Sequence, residues 1–259
     1  TITIYNNGTA IGTTTADGAG AWSFTPAALP PGAHSFTVSA TDAAGNASAQ
    51  SAAYAITIDT SVPAVPTIDD IADNVGAVLG SVSNGGVTDD TTPTLSGTGA
   101  EANATITIYN NGTAIGTTTA DGAGAWSFTP AALPPGAHSF TVSATDAAGN
   151  ASAQSAAYAI TIDTSVPAVP TIGDIADNVG SVLGSVSNGG VTDDTTPTLS
   201  GTGAEANATI TIYNNGTAIG TTTADGAGAW SFTPAALPPG AHSFTVSATD
   251  AAGNASAQS

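Results

Sequence analysis

The sequence predicts an all-β protein made of tandem antiparallel β-sandwiches, strung one after another as an elongated rod. The first observation is a repeat, because TITIYNNGTAIGTTTADGAGAWSFTP begins at Thr1, Thr105 and Thr209, a period of 104 residues. A period of about 100 residues matches a whole domain with its own core and is too long for one rung of a solenoid. The second observation is that apolar residues alternate in short segments separated by turn residues, which is typical of a sandwich.

The repeats set the predicted domain boundaries. Residues 52–155 and 156–259 differ only at Asp69 versus Gly173 and at Ala77 versus Ser181. We define residues 1–58 as repeat 1, a C-terminal part of a sandwich, and residues 59–162 as repeat 2, a complete sandwich. Repeat 3, residues 163–259, is nearly complete and lacks its last strand. The chain is therefore expected to be a window on a longer polymer, or a unit whose neighbours complete its sandwiches by donating strands.

Seven strands are predicted in repeat 2, and no helix. Asn111-Gly112 supplies the positive φ that a tight hairpin needs between the third and fourth strands. Trp126 alternates with Phe128 and is expected in the core between the sheets, whereas the parity of Tyr109 places it opposite Ile106. The predicted strands are residues 65–68, 92–99, 105–109, 113–120, 125–128, 138–144 and 158–162.

The composition excludes several classes of function. The chain has no Lys or Arg, 19 acidic residues and a formal net charge of -19, so it cannot neutralise the phosphates of nucleic acids or anionic lipids. With 41% hydrophobic residues in an alternating pattern it is expected to fold, and no apolar run is long enough for membrane insertion. His138 and Ser139 are neighbours in a strand and point to opposite faces, so they predict no catalytic triad.

The acidic residues fall outside the predicted strands. Successive loops of an antiparallel sandwich alternate between its two ends, which predicts that the trailing end of one repeat meets the leading end of the next. Asp73, Asp89 and Asp90 are then expected to approach the acids at 163, 205 and 250 of repeat 3. Carboxylates gathered without a basic residue repel one another, so a cation is predicted there. Calcium fits best, because it takes six to eight oxygen ligands in flexible geometry.

The predicted calcium ligands are the acids of the repeat ends and their copies. They are Asp42, Asp59, Asp70, Asp73, Asp89, Asp90, Glu101, Asp146, Asp163, Asp174, Asp177, Asp193, Asp194, Glu205 and Asp250.

Three motifs carry a resemblance to a known family. DTSVP at residues 59–63, GGVTDDTTPTLSGTG at 85–99 and SATDAAGNAS at 143–152 follow one another in each period. In this order they resemble the bacterial immunoglobulin-like extender repeats of giant repeats-in-toxin (RTX) adhesins and biofilm-associated surface proteins. The resemblance implies an immunoglobulin-like fold, secretion to the bacterial cell surface, and folding in the presence of calcium bound at the junctions.

The function expected from these features is mechanical. Near-identical repeats add length without adding chemistry, so the chain is predicted to be a calcium-stiffened extracellular fibre segment that projects a distal adhesive module. Its partners are the neighbouring repeats and, in the alternative reading, like chains in a filament. A second alternative is that the repeats themselves adhere to sugar, ice or a surface through outward threonines such as Thr105, Thr107 and Thr117.

Overall fold

The computed structural model describes residues 1–259, and the chain folds into 20 strands without a helix. No helix therefore exists that could span a membrane. Repeat 1 contains β1 (Ile2–Asn6), β2 (Thr9–Thr14), β3 (Gly32–Ala40) and β4 (Tyr54–Ile58). Repeat 2 contains β5 (Asp70–Asp73), β6 (Gly80–Ser81), β7 (Gly86–Thr88), β8 (Thr94–Gly97), β9 (Thr105–Asn110), β10 (Thr113–Thr119), β11 (Trp126–Phe128), β12 (Gly136–Thr145) and β13 (Tyr158–Ile162). Repeat 3 contains β14 (Thr171–Asp177), β15 (Gly184–Ser185), β16 (Thr198–Thr202), β17 (Thr209–Asn214), β18 (Thr217–Thr223), β19 (Trp230–Phe232) and β20 (Phe244–Thr249).

Repeat 2 is a sandwich of two sheets, which confirms the predicted fold class. One sheet has the order β10-β9-β12-β13-β7 and the other the order β11-β8-β5-β6. All pairs are antiparallel except β13 with β7, which run parallel. The inward side chains of both sheets form one core of 13 buried residues that includes Ile106, Ile108 and Phe140. Burial of these apolar side chains away from water is the main source of stability.

Trp126 lies in this core, as predicted, with only 4% of its surface exposed. Its ring lies against Gly97, its cross-strand partner on the neighbouring strand β8, where a Cβ atom would stand 2.7 Å from Trp126 Cζ2 and would collide with the carbonyl oxygen of Thr67. The indole is therefore accommodated because β8 has no side chain at this point. Tyr109 points outward, as its parity predicts, and its hydroxyl lies 3.3 Å from Ser143 Oγ.

The other two repeats have fewer strands. Repeat 1 forms one sheet, β2-β1-β3-β4, and repeat 3 forms the sheets β15-β14-β16-β19 and β18-β17-β20. In repeat 1, Ile56 of β4 is 41% exposed, whereas its equivalent Ile160 in repeat 2 is 2% exposed. In repeat 3, Val191 is 96% exposed and lies in no strand, because that repeat has no counterpart of β13 for it to pair with.

The first predicted strand of repeat 2 is misplaced. Residues 65–68 form no regular strand; Thr67 and Asp69 donate single backbone hydrogen bonds to Thr98 and Ser96, and β5 begins at Asp70. Pro63 and Pro66 lack the N–H donors that a continuous ladder requires. Two further strands, β6 and β7, were not predicted, because two or three residues of Gly, Ser, Val and Thr show no periodicity.

Two acids therefore lie inside a strand, contrary to the prediction that none would. Asp70 begins β5 and Asp73 ends it, and in repeat 3 the equivalent Asp174 and Asp177 belong to β14. In β5, Ile71 and Asp73 share the buried face, and a buried acid in place of an apolar residue hides the two-residue period that would indicate a strand.

Candidate metal centre at the junction of repeats 2 and 3

The trailing end of repeat 2 holds two buried carboxylates that are fully hydrogen-bonded. Asp73 is 6% exposed, and its Oδ2 accepts a hydrogen bond from Thr88 Oγ1 at 2.6 Å while its Oδ1 accepts one from Val75 N at 3.0 Å. Asp90 is 1% exposed and accepts from Thr92 N at 2.8 Å and from Asn74 N at 3.3 Å. These bonds hold the ends of β5 and the loop after β7 together.

Asp89 lies between them and differs from both. Its Oδ1 is buried and has no hydrogen-bond partner. Removal of water from the carboxylate, and then the negative charges of Asp73, Asp250 and Asp90, raise the pKa of Asp89. A buried oxygen without a donor, surrounded by other carboxylates, is unfavourable unless something positive binds it.

The leading end of repeat 3 meets this region directly. The backbone N–H of Asp89 donates to the carbonyl oxygen of Ala252 at 3.2 Å, across the junction. Asp250 is 7% exposed, and its Oδ1 accepts hydrogen bonds from the backbone N–H groups of Ala252, Gly253 and Asn254 at 2.8 to 2.9 Å. The structure therefore has the approach of Asp89 and Asp250 that the order of the loops predicts.

Asp163 connects the two repeats in the linker. Its backbone N–H donates to the carbonyl oxygen of Thr88 at 2.9 Å, and its own carbonyl oxygen accepts from Asn254 Nδ2 at 2.8 Å. Its Oδ1 accepts from Ser165 N at 2.9 Å, and this bond lowers the pKa of Asp163. The linker is thus fixed to both repeats through its main chain.

The junction of repeats 1 and 2 has the same contact between an asparagine and the linker as the junction of repeats 2 and 3, but not the contacts between acids. Asn150 Nδ2 donates to the carbonyl oxygen of Asp59 at 3.1 Å, as its equivalent does in the next junction. Repeat 1 has no counterparts of the trailing acids of repeat 2. Accordingly Asp146 is half-buried and Asp42 is exposed, whereas Asp250 is buried. Hydrogen bonding by Asn150 and Asn46 lowers the pKa of Asp146 and of Asp42.

Four of the predicted ligands take no part in these hydrogen bonds. Asp70 accepts a hydrogen bond from Ser81 Oγ on the surface of β5, and Asp174 accepts one from Ser185 in the same way, so neither reaches the junction. Glu101 and Glu205 are exposed in the turns before β9 and β17. Asp177, Asp193 and Asp194 of repeat 3 occupy the positions of Asp73, Asp89 and Asp90, and Asp177 and Asp194 accept the same hydrogen bonds as their equivalents. In this chain no other repeat packs against them.

The junction provides the right ligand atoms, but they do not converge. Carboxylate, amide and main-chain oxygens are the ligands that calcium prefers. However, no three His, Asp or Glu side chains lie together as a group that could hold a metal ion. The carboxylates are near enough to raise the pKa of Asp89, yet two of them are held by their own hydrogen bonds. The observation that fits a cation is the unpartnered Oδ1 of Asp89.

The histidines belong to the fold. His138 Nε2 lies 2.8 Å from the carbonyl oxygen of Pro134, and Nδ1 lies 2.9 Å from Asn110 Nδ2. Both ring nitrogens are therefore occupied, and the ring stacks on Phe140 with centroids 6.1 Å apart. Ser139, on the opposite face, has no access to this ring.

The whole chain matches a known family. Residues 1–60, 65–164 and 168–259 each match the bacterial Ig-like domain. The chain belongs to the bacterial Ig-like domain family. Ig-like domains of this kind are non-catalytic modules, so the repeats are structural or surface modules.

These Ig-like repeats are also similar to individual proteins. Exoglucanase B of Cellulomonas fimi is 33% identical over 270 residues, which cover 99% of this chain and 22% of the exoglucanase. The chain thus spans about a fifth of that relative.

Among solved structures, the likeness shows the fold alone. The fibronectin(III)-like modules of Clostridium thermocellum CbhA are 18% identical with a TM-score of 0.44, covering 75% of this chain and 90% of that one. A tetra-tandem repeat from the extending region of a large adhesion protein is 22% identical with a TM-score of 0.30, covering 98% and 63%.

Proposed function

We propose that the chain is a spacer segment of a secreted bacterial surface adhesin of the RTX type, and that calcium bound at its junctions stiffens it. The observation that carries the proposal is Asp89, whose buried Oδ1 has no partner and whose pKa is raised by burial and then by acids of both repeats. A cation at this point would join repeat 2 to repeat 3. The repeats would then extend as one stiff segment and project a distal adhesive module from the cell.

Electrostatics supports a bound metal ion in particular. Two carboxylates about 4 Å apart repel by about 1 to 4 kcal/mol, depending on the effective dielectric constant. The chain has no Lys or Arg, so no side chain of its own can supply a permanent positive charge. Calcium is favoured over magnesium because it accepts irregular sets of oxygen ligands, and magnesium gives up its waters reluctantly.

The residues that would hold the ion lie on both sides of the junction. Asp89 offers its free Oδ1, and Asp250 offers Oδ2, which accepts only from Asn254 Nδ2 at 2.9 Å. Burial raises the pKa of Asp89 first, Asp73 and Asp90 of the trailing end are near enough to raise it further, and Asp163 belongs to the linker between the two repeats. A calcium ion would supply the charge that offsets their repulsion. By the same reasoning Asp59 and Asp146 belong to the junction before, and Asp42 to an earlier one.

The test uses the two copies of Asp89. Asp193 is the equivalent residue in repeat 3. Its carboxylate lies beside Gly180, as that of Asp89 lies beside Gly76, but no acid of another repeat faces it in this chain. In the unmodified chain, calcium at about 100 times its Kd should raise the free energy of unfolding by about 2.7 kcal/mol. Asp89→Asn should lose most of this gain, and Asp193→Asn should keep it. Calorimetric melts in millimolar calcium and in excess chelator measure both.

Two results would contradict the proposal. One is an unchanged melt of the unmodified chain in excess chelator, and the other is an equal loss of the calcium effect in both variants. Stiffening is measured separately by small-angle X-ray scattering, in which chelation and Asp163→Ala should each shorten the maximum dimension. An equally extended particle would show that the ion, if bound, does not set the junction angle.

A second candidate function follows from the relative in Cellulomonas fimi. The 33% identity to exoglucanase B covers almost the entire chain, so the repeats would serve as spacers inside a secreted polysaccharide-degrading enzyme. In both cases they separate two working modules outside the cell. Identifying the domains adjacent to the repeats distinguishes an adhesive module from a catalytic one.

A further inference from the structure

The strand β10 has a free edge. It lies at one end of the five-stranded sheet and pairs only with β9. None of its backbone or side-chain groups makes a hydrogen bond outside that ladder. The same holds for β2 in repeat 1 and β18 in repeat 3, which occupy the same position. Each repeat therefore presents a row of unpaired N–H and C=O groups.

This edge lacks most of the features that protect sheet edges. The other edge strands of repeat 2 are short, with three residues in β7 and β11 and two in β6, whereas β10 has seven. Its sequence, TAIGTTT, contains no charged residue and no proline, which are the usual obstacles to pairing. One register shift between Ala114 and Gly116 leaves Gly116–Thr119 as the regular part.

The net charge of -19 repels a second copy of the chain, and this repulsion is smallest where two uncharged edges meet. The acids lie in loops at the ends of the repeats and on β5, while β9 and β10 contain none. A basic peptide would be drawn to the carboxylates and away from this uncharged edge. Another copy of β10 is equally uncharged and rich in threonine, a residue that favours strands and forms stable Thr–Thr pairs across them.

We infer that this edge pairs antiparallel with the same edge of a second copy of the chain, so that chains associate side by side. A single pairing of a few residues is weak. However, the edge recurs three times with a period of 104 residues, and for edges that face the same side of the chain one pairing raises the effective concentration for the next. This lateral association goes beyond the spacer function and does not depend on calcium.

The experiment compares two sets of lysines that add the same charge. The edge variant carries Thr13→Lys, Thr117→Lys and Thr221→Lys. The control variant carries Thr3→Lys, Thr107→Lys and Thr211→Lys, which are the residues directly opposite on β1, β9 and β17. Both sets project from the same face of the same sheet, but only the first lies on the edge strand.

Sedimentation velocity over a range of concentrations, in calcium and in chelator, measures the association. The unmodified chain and the control should pass from the 24.6 kDa monomer to larger species, and the edge variant should need at least about tenfold higher concentration. Hydrogen exchange of the unmodified chain should show protection of the amides of Thr117–Thr119 on association. A monomer at every concentration overturns the inference, and so does an equal loss in both variants or exchange protection located elsewhere. Loss of the calcium effect alone leaves it intact.

Discussion

Replacing Gly97 by alanine tests the packing that defines repeat 2. A Cβ atom at Gly97 would collide with the main-chain carbonyl of Thr67 and stand 2.7 Å from Trp126 Cζ2. A backbone oxygen cannot rotate away, so the segment around Thr67 must move and lose its backbone hydrogen bond to Thr98, which is 2.9 Å long. Overpacking costs about 1 to 3 kcal/mol and a lost hydrogen bond about 1 kcal/mol, so the expected loss is about 2 to 4 kcal/mol.

Calorimetry measures this loss, and the chain provides its own control. A destabilisation of about 2 to 4 kcal/mol should lower the Tm of one repeat of this size by about 10 to 30 °C and leave the other transitions in place. Gly122 has an ordinary φ and nothing within 4 Å of its Cβ position, so Gly122→Ala should raise stability slightly, by about 0.4 to 1 kcal/mol. An unchanged Tm for Gly97→Ala would refute the close contact between β8, Trp126 and the entry segment.

Two further predictions concern the junction and the effect of acid. Gly149 and Gly253 both have a positive φ, 95° and 107°, so alanine at either position costs about 1 kcal/mol of stability. Only at Gly253 would the new Cβ stand 3.1 Å from Val78 N of the preceding repeat. Only Gly253→Ala should therefore change the junction and alter the small-angle X-ray scattering profile. The pKa of Asp121 is lowered below the ordinary 3.8 by a hydrogen bond from Ala125 N, that of Asp146 by one from Asn150, and that of Asp225 by one from Ala229 N. The stability that these three carboxylates contribute to the fold is therefore complete above pH 3.8 and is lost as pH falls through their lowered pKa values. Circular-dichroism melts should show a smaller acid-induced loss in Asp121→Asn, whose amide oxygen can still accept from Ala123 and Ala125; an identical loss would show that the carboxylate is not responsible. Asp89 behaves in the opposite sense, because its pKa is raised: without metal, the junction should gain stability as pH falls toward that pKa.

Features that depend on local chemistry could be predicted from the amino-acid sequence. The period of 104 residues defined the repeats, and two-residue alternation predicted β8 to β13 of repeat 2. Asn111 and Gly112 adopt φ values of 50° and 80°, as expected for a tight hairpin between β9 and β10. The absence of Lys and Arg indicated unbalanced carboxylates before any contact was known.

Contacts between distant segments could not be predicted from the sequence and appear only in the folded chain. The parallel pairing of β7 with β13 joins residues more than 70 positions apart, and nothing in three residues of β7 announces it. Asp70 and Asp73 are nearly adjacent in sequence, yet one bonds Ser81 on a strand surface and the other is buried beside Thr88. Asp89 and Asp90 are equally alike in sequence. Asp90 finds donors within its own loop, whereas the neighbour that leaves Asp89 Oδ1 buried without a partner belongs to the next repeat, and burial by a distant segment has no local signal.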